Sequence, residues 1–324
     1  MRVGIVAYEG CLTSVVSGLV DTFALATTAS ARLRPESPTV FSTTLVTPSG
    51  QEVVGSGGFT LKPQARLGDV LRHDVVAIPP MGPAIDEVLA RETALIGWLN
   101  QVAARVPLIC SVCTGAFLLA AAGVLDGRRA TTNAWYGDKL RQDYPLIEVQ
   151  TERRIIDERS VISAGTTTSF LDLAIYLVDR FGDHDVAVWT AKALSKDKNV
   201  ESQRPYFLFV GRRDHGDAAI FELQNWLQRH FAEDLAVEAM AARTHMSVRG
   251  LSRRFYAATG LAPMAYVRQL RIEAAKRHLE VSDAKVEAVC DAVGYADPRS
   301  FVRAFRAACG VTPSEYRKRF RKQS

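Results

Sequence analysis

The chain has 324 residues, 48% of them hydrophobic and 23% charged, the proportions of an ordinary globular protein with room for two cores. Its five cysteines are an odd number scattered along a long chain, which excludes a disulfide framework and implies a reducing, cytoplasmic setting. The net charge of +5 is uneven: residues 218–324 carry 18 Lys+Arg against 11 Asp+Glu, and residues 1–217 carry 22 against 24. All of the positive excess lies at one end, as in a nucleic-acid binder.

The opening MRVGIVAYEG lacks a long apolar run and a cleavage site, so no signal peptide is expected. Short apolar runs rich in β-branched residues at Val3–Tyr8, Ser42–Thr47, Val75–Ile78 and Pro107–Cys110 predict buried strands. Helical patterns lie between or after them at Val16–Ala29, Ala84–Ala104 and Ala116–Ala122. Such alternation predicts an α/β domain, a mostly parallel sheet with helices on both faces. Arg153–Ile156 and Ser160–Ala164 predict a hairpin or late strand pair, and helices at Thr168–Arg180 and Asp185–Leu194 close a domain of residues 1–194. The longest apolar stretch noted, Ala116–Leu125, is too short to span a bilayer, so no membrane partner is expected. Residues 195–217 are charged and read as a linker, with an apolar patch, Tyr206–Val210, free to dock on either domain.

From Ala218 onward the pattern is helical, and it repeats. Residues 251–266 (LSRRFYAATGLAPMAY) and 301–316 (FVRAFRAACGVTPSEY) are identical at seven of sixteen aligned positions. Each copy supplies a helix-turn-helix within an all-α domain of residues 218–324. In the first, Val237–Arg243 is the leading helix, Ala242 a close-packed small residue, and Ser247 caps a second helix reaching about Ala258. In the second, Val286–Val293 leads, Ala292 matches Ala242, Asp297 caps and Pro298 takes the first helical position. Leu251 and Phe255, like Phe301 and Phe305, fall four apart and face inward. Val248, Arg249, Ser252 and Arg253 are left outside in one copy, and Pro298, Arg299, Val302 and Arg303 in the other. Arginine suits guanine edges and phosphates, so these faces are expected to read a double-stranded DNA operator. The amphipathic helix Pro263–Glu280 would hold the two recognition helices about 34 Å apart, one turn of the duplex.

Residues 218–324 resemble the AraC family of transcription regulators. The hallmark residues are Val293-Gly294-Tyr295, Ser300-Phe301, Arg303-Ala304-Phe305-Arg306, Gly310 and Thr312-Pro313-Ser314-Glu315-Tyr316-Arg317. The resemblance implies DNA contacts at Arg249, Ser252, Arg253, Arg299 and Arg303, and leaves RNA polymerase open as a further partner.

In the first domain, Ile109-Cys110-Ser111-Val112-Cys113-Thr114-Gly115-Ala116 leads from strand to helix, the setting of a nucleophile elbow with Cys113 at its tip. With Asp126-Gly127-Arg128-Arg129-Ala130-Thr131-Thr132, it resembles the flavodoxin-like fold of the class I glutamine-amidotransferase-like superfamily, near the intracellular protease PfpI. Joined to an AraC-type reader, this is the arrangement of the GlxA family. The catalytic partners are replaced. Thr114 stands where a His often follows the cysteine, Val15 or Ser14 where an acid is usual, and Pro80-Met81 where relatives carry Gly-Gly. Asn133-Ala134-Trp135 follows Thr131-Thr132 where relatives show Thr-Thr-His-Trp. A thiol without base or acid lacks the usual activation. Three readings of Cys113 stay open: nucleophile, redox or electrophile sensor, and, favoured, a plain thiol lining a pocket with Thr114 and Met81. No catalytic residue, metal or cofactor is expected. Cys110 and Cys113 form a C-x-x-C without the other ligands of a zinc set. The expectation is a homodimeric regulator whose first domain binds a small-molecule effector without catalysis.

Overall fold

The computed structural model describes residues 1–103, 105–195, 204–206, 209 and 211–320. Two compact units emerge, Met1–Gln203 and Arg204–Ser324. The first begins with β1 (Arg2–Val6), α1 (Thr13–Leu33), β2 (Ser42–Thr47), β3 (Val53–Val54), β4 (Thr60–Leu61) and β5 (Ala65–Arg66). Next come β6 (Val75–Ile78), α2 (Ile85–Arg91), α3 (Thr93–Val102), β7 (Ile109–Val112) and α4 (Ala116–Ala121). The remaining elements are β8 (Arg129–Ala130), α5 (Gly137–Asp143), β9 (Glu148–Val149), β10 (Ile155–Asp157), β11 (Val161–Ala164), α6 (Ser169–Phe181) and α7 (His184–Ala193).

Seven strands form one sheet in the order β10-β11-β7-β6-β1-β2-β5. All pairings are parallel except that of β10 with β11, so the expected mostly parallel α/β sheet is present. Every residue of β6, β7 and β11 is buried, which is why these strands read as short unbroken runs of small and β-branched residues. One group of packed helices comprises α1, α6 and α7, and another α2, α3 and α4. At 21 residues and a mean hydropathy of 1.2, α1 is long and apolar enough to cross a membrane by length and composition, unlike Ala116–Leu125. Its Val15, Val16, Leu19, Phe23 and Ala26 are spent on the core of this unit. The single helix expected over 84–104 divides at Glu92, where ψ is 34° and the buried carboxylate meets Arg91 at 3.2 Å. Ala104 lies outside the described residues. The two-residue strands were not foreseen, because so short a segment carries no periodicity.

The second unit starts inside the span expected as linker. Phe209, from the apolar patch, packs edge-on against Tyr266 with ring centroids 5.1 Å apart, and a Cβ at Gly211 would collide with the Tyr266 hydroxyl. Residues 196–203, 207, 208 and 210 of that span lie outside the described residues. Helices α8 (Ala218–His230), α9 (Val237–Arg243), α10 (Val248–Thr259), α11 (Pro263–Val281), α12 (Val286–Ala292), α13 (Pro298–Cys309) and α14 (Pro313–Phe320) follow. They build two small cores. One gathers Ile220, Leu227, Met240, Leu251, Phe255 and Tyr266, the other Ile272, Leu279, Val289, Phe301, Phe305 and Tyr316.

The two modules share their punctuation. Gly260 and Gly310 close α10 and α13 in the left-handed region, at φ of 75° and 74°, and a proline starts the next helix in each. Their turns differ. The leading helices α9 and α12 start 49 residues apart but α10 and α13 start 50 apart, so the second turn is one residue longer. His245 adopts positive φ in the first turn and Gly294 in the second, where a Cβ would strike the Ala232 carbonyl. Ala242 and Ala292, expected to be close-packed, are both exposed. The buried small residues are Ala241 and Cys290, which the 49-residue offset pairs.

Phe305 is fully buried and meets Phe301 and Tyr316 edge-on at 5.8 and 5.4 Å. Phe305→Ala should therefore cost the second unit about 3–5 kcal/mol in denaturant unfolding. An unfolding midpoint within error of wild type for that unit would refute this account of its core.

Candidate functional site

Two places carry chemistry. The first is the outer face of α10 and α13. Ser247 Oγ accepts from the Gly250 amide at 3.1 Å, and the Asp297 carboxylate accepts from the amides of Arg299 and Ser300 at 3.2 and 2.9 Å. Hydrogen bonding to Ser300 and Arg299 holds the Asp297 carboxyl below its usual range, so this cap is lost only as pH falls through that lowered value. With Leu251, Phe255, Phe301 and Phe305 buried, helical geometry turns Arg249, Arg253, Arg299 and Arg303 outward, with Ser252 half-buried beside them.

Among the described residues, those four arginines make no side-chain hydrogen bond or ion pair. Their neighbours do. Arg254 is bound to Asp217, Arg271 donates to the Phe231 and Glu233 carbonyls at 2.7 and 2.8 Å, and Arg243 lies 4.8 Å over the Trp226 ring. The Arg254 guanidinium in turn holds the Asp217 carboxyl below its usual range.

The second place is the elbow. Cys113 directly follows β7 and takes φ of 53°, an uncommon conformation for a residue with a side chain. A Cβ on Gly115 would lie 2.7 and 2.8 Å from the Ile78 and Pro79 carbonyl oxygens, so only glycine lets the turn press against the end of β6. Thr114 Oγ1 accepts from the Met81 amide at 3.0 Å, which brings those two expected pocket residues together beside Cys113. All three are nearly enclosed, at 4% exposure for Cys113, 1% for Thr114 and 3% for Met81. The expected site is thus more closed than an open cleft.

The sulfur's surroundings are hydroxyls and amides. Thr167 Oγ1 donates to Cys113 Sγ at 3.7 Å, and Thr132 Oγ1 donates to the Cys113 carbonyl at 2.8 Å. Burial pushes the thiol above the usual cysteine range, opposed by hydrogen bonds from Thr167, Thr114 and Asn133. Val15, at the position an acid would fill, is buried in α1, and Ser14 is exposed. Sequence reasoning missed Thr167, Tyr8 and Glu92. Buried Tyr8 donates to the Pro79 carbonyl at 2.5 Å, and the charge of Glu92 bears on Tyr8 and Cys11. A signal for Thr167 existed: Thr166-Thr167-Thr168 follows β11, the neighbour of β7, at the strand ends where parallel sheets place ligands. Among the described residues no group of three His, Cys, Asp or Glu could hold a metal ion.

Fold and faces together define a DNA-binding regulator with an elbow-bearing α/β domain. Known proteins agree. A DJ-1/PfpI family model matches residues 26–180 and a helix-turn-helix domain model matches residues 240–319. The chain is 27% identical over 269 residues to the HTH-type transcriptional regulator CdhR of Pseudomonas aeruginosa, a match covering 83% of this chain and 79% of that protein. It is 38% identical over 104 residues to the HTH-type transcriptional activator RhaS of Escherichia fergusonii, but spans only 37% of that protein's length, so the likeness is confined to one end. A THiJ/PfpI family protein from Pseudomonas syringae shares the fold over 75% of this chain and 88% of its own, with TM-score 0.51 and 19% identity. A Vibrio parahaemolyticus chain shares the fold as well, with TM-score 0.52 and 20% identity over 60% of this chain and 98% of that one. The protein is a DNA-binding transcription regulator in which a DJ-1/PfpI domain precedes an AraC-type helix-turn-helix domain.

Because burial raises the Cys113 thiol, alkylation of this residue by iodoacetamide at pH 7 should be slower than that of free cysteine. The rate should climb only above the ordinary cysteine range, as the thiolate forms. Mass-spectrometric rates as fast as free cysteine at pH 7 would contradict the burial argument.

Proposed function

We propose that the chain binds its operator through Arg249, Ser252 and Arg253 on α10 and Arg299 and Arg303 on α13, under control of a small metabolite bound at the elbow. One observation carries the first half. On a unit where Arg254, Arg271 and Arg243 are occupied within the fold, the four outward arginines of the recognition helices make no side-chain hydrogen bond or ion pair among the described residues, and only Arg299 acts on a nearby carboxylate, that of Asp297. Leaving exposed cations unpaired has no structural benefit, and DNA supplies their partners. On this reading residues 1–194 form the effector-binding and dimerising domain, 195–217 the linker, and 218–324 the reader, with Arg204, Phe209, His215 and Asp217 of the linker span in contact with it.

The effector is bound and not consumed. The sulfur's hydrogen-bond donors are Thr167, Thr114 and Asn133, none of which is a base able to take its proton. Half-buried Asn133, Tyr136 and Thr167 rim the enclosed thiol and offer donors and acceptors to a small polar ligand. A cysteine-dependent amidase-type enzyme would need the reverse environment, one that favours thiolate.

Arg253→Ala and Arg303→Ala should each weaken operator binding by about 1–3 kcal/mol in equal salt, measured by fluorescence anisotropy. Operator affinity matching wild type in both variants would remove these helices from the interface. Cys113→Trp should abolish the effector response while operator binding persists. A full response in that variant would place sensing elsewhere, and steady turnover of the bound metabolite by the wild-type chain would make it an enzyme.

A further inference from the structure

The two recognition helices border equivalent clefts that differ in charge. In the first module the cleft is lined by Gly250, Arg253, Arg254 and Ala257, which the 50-residue repeat maps onto Ser300, Arg303, Ala304 and Ala307 in the second. Asp217 neutralises Arg254 in the first. Among the described residues the second cleft, about 560 Å³, is lined by no carboxylate, and α11 adds Arg268 to its wall. Arg268 and Arg303 are both exposed, and among the described residues neither makes a side-chain hydrogen bond or ion pair. The Tyr295 hydroxyl on the same wall is buried without a hydrogen-bond partner. Two exposed cations without hydrogen-bond or ion-pair partners around one hollow are chemically complementary to an oxyanion.

We propose that this cleft seats one phosphate of the DNA backbone, bound by Arg268, with Arg303 on the opposite wall. The proposal rests on the DNA-reading function above. A helix about 10–12 Å across fills a major groove about 12 Å wide, so a cation on the helix beside α13 meets the groove's phosphate wall and not base edges. In the first module α8 takes the place of α11, and Ala218, fifty residues before Arg268, carries no charge, while Arg254 is already engaged. Phosphate anchoring is therefore concentrated at the second module.

The test uses the full chain, its selected operator and a scrambled duplex of equal length. Arg268→Ala should weaken binding to both duplexes by the same factor, about fivefold to tenfold, and flatten the log–log salt slope by about 0.9. Arg268→Lys should restore most of the loss. Unchanged affinity and slope in Arg268→Ala, or a loss confined to the operator, would overturn the proposal. Inorganic phosphate titrated calorimetrically into the DNA-free chain forms the second arm. Saturable binding that Arg268→Ala removes would assign the cleft to a free phosphate and overturn the backbone assignment. If Arg249→Ala and Arg299→Ala abolish operator preference while Arg268→Ala changes nothing, the phosphate seat fails and the reading function stands. If wild type binds neither duplex, both fail.

Discussion

The helix α11 belongs to two cores at once, and the reader depends on it. Tyr266 and Val267, near its start, complete the core under α10, while Ile272, Ala275 and Leu279 complete the core under α13. Nineteen residues at 1.5 Å each make a rod about 28 Å long. Arg271, at its middle, ties the rod to the Phe231 and Glu233 carbonyls, and near its end Glu280 accepts from the Tyr316 hydroxyl at 2.7 Å. A helix packed at both ends cannot bend without opening one of its cores. The separation of α10 and α13 is thus set by buried apolar contacts rather than by a flexible tether.

That constraint sorts the arginines. Those near the seams of the fold are consumed by carbonyls, a carboxylate or an aromatic face, as Arg271, Arg254 and Arg243 are. Those on the far side of the recognition helices make no side-chain hydrogen bond or ion pair among the described residues. Charge asymmetry along the chain is a weak argument for nucleic acid, because cations can be spent internally. Geometry separates the spent from the unspent.

The elbow shows a fold's strain kept while its chemistry is altered. The positive φ of Cys113 and the squeeze of Gly115 against the carbonyls of Ile78 and Pro79 still hold a thiol at the tip of β7. Yet burial raises that thiol, and the groups around its sulfur are threonines and an asparagine. Strain of this kind persists only where the surrounding structure over-determines it, and here Met81 pins Thr114 while Thr132 pins the carbonyl of Cys113 itself.

Much of this was legible in the chain. Buried strands such as Val75–Ile78 and the caps Ser247, Asp297 and Pro298 declare themselves because local sterics and hydrogen bonding fix them within a few residues. The repeat announced two modules and the inward phenylalanines, because a helical face depends only on spacing. The one-residue difference between the turns, the division at Glu92 and the exposure of Ala242 and Ala292 were not legible, since each is decided by what lies across the core. The same holds for the site. Sequence alone determined that Cys113 tips an elbow and that arginines repeat on an outward face. Only tertiary structure decided that Thr167 from a distant loop meets the sulfur, that among the described residues Asp217 occupies Arg254 but none pairs with Arg253, and that Arg268 stands across a cleft from Arg303. Pairing and burial are properties of groups brought together from far along the chain, and no local pattern encodes them.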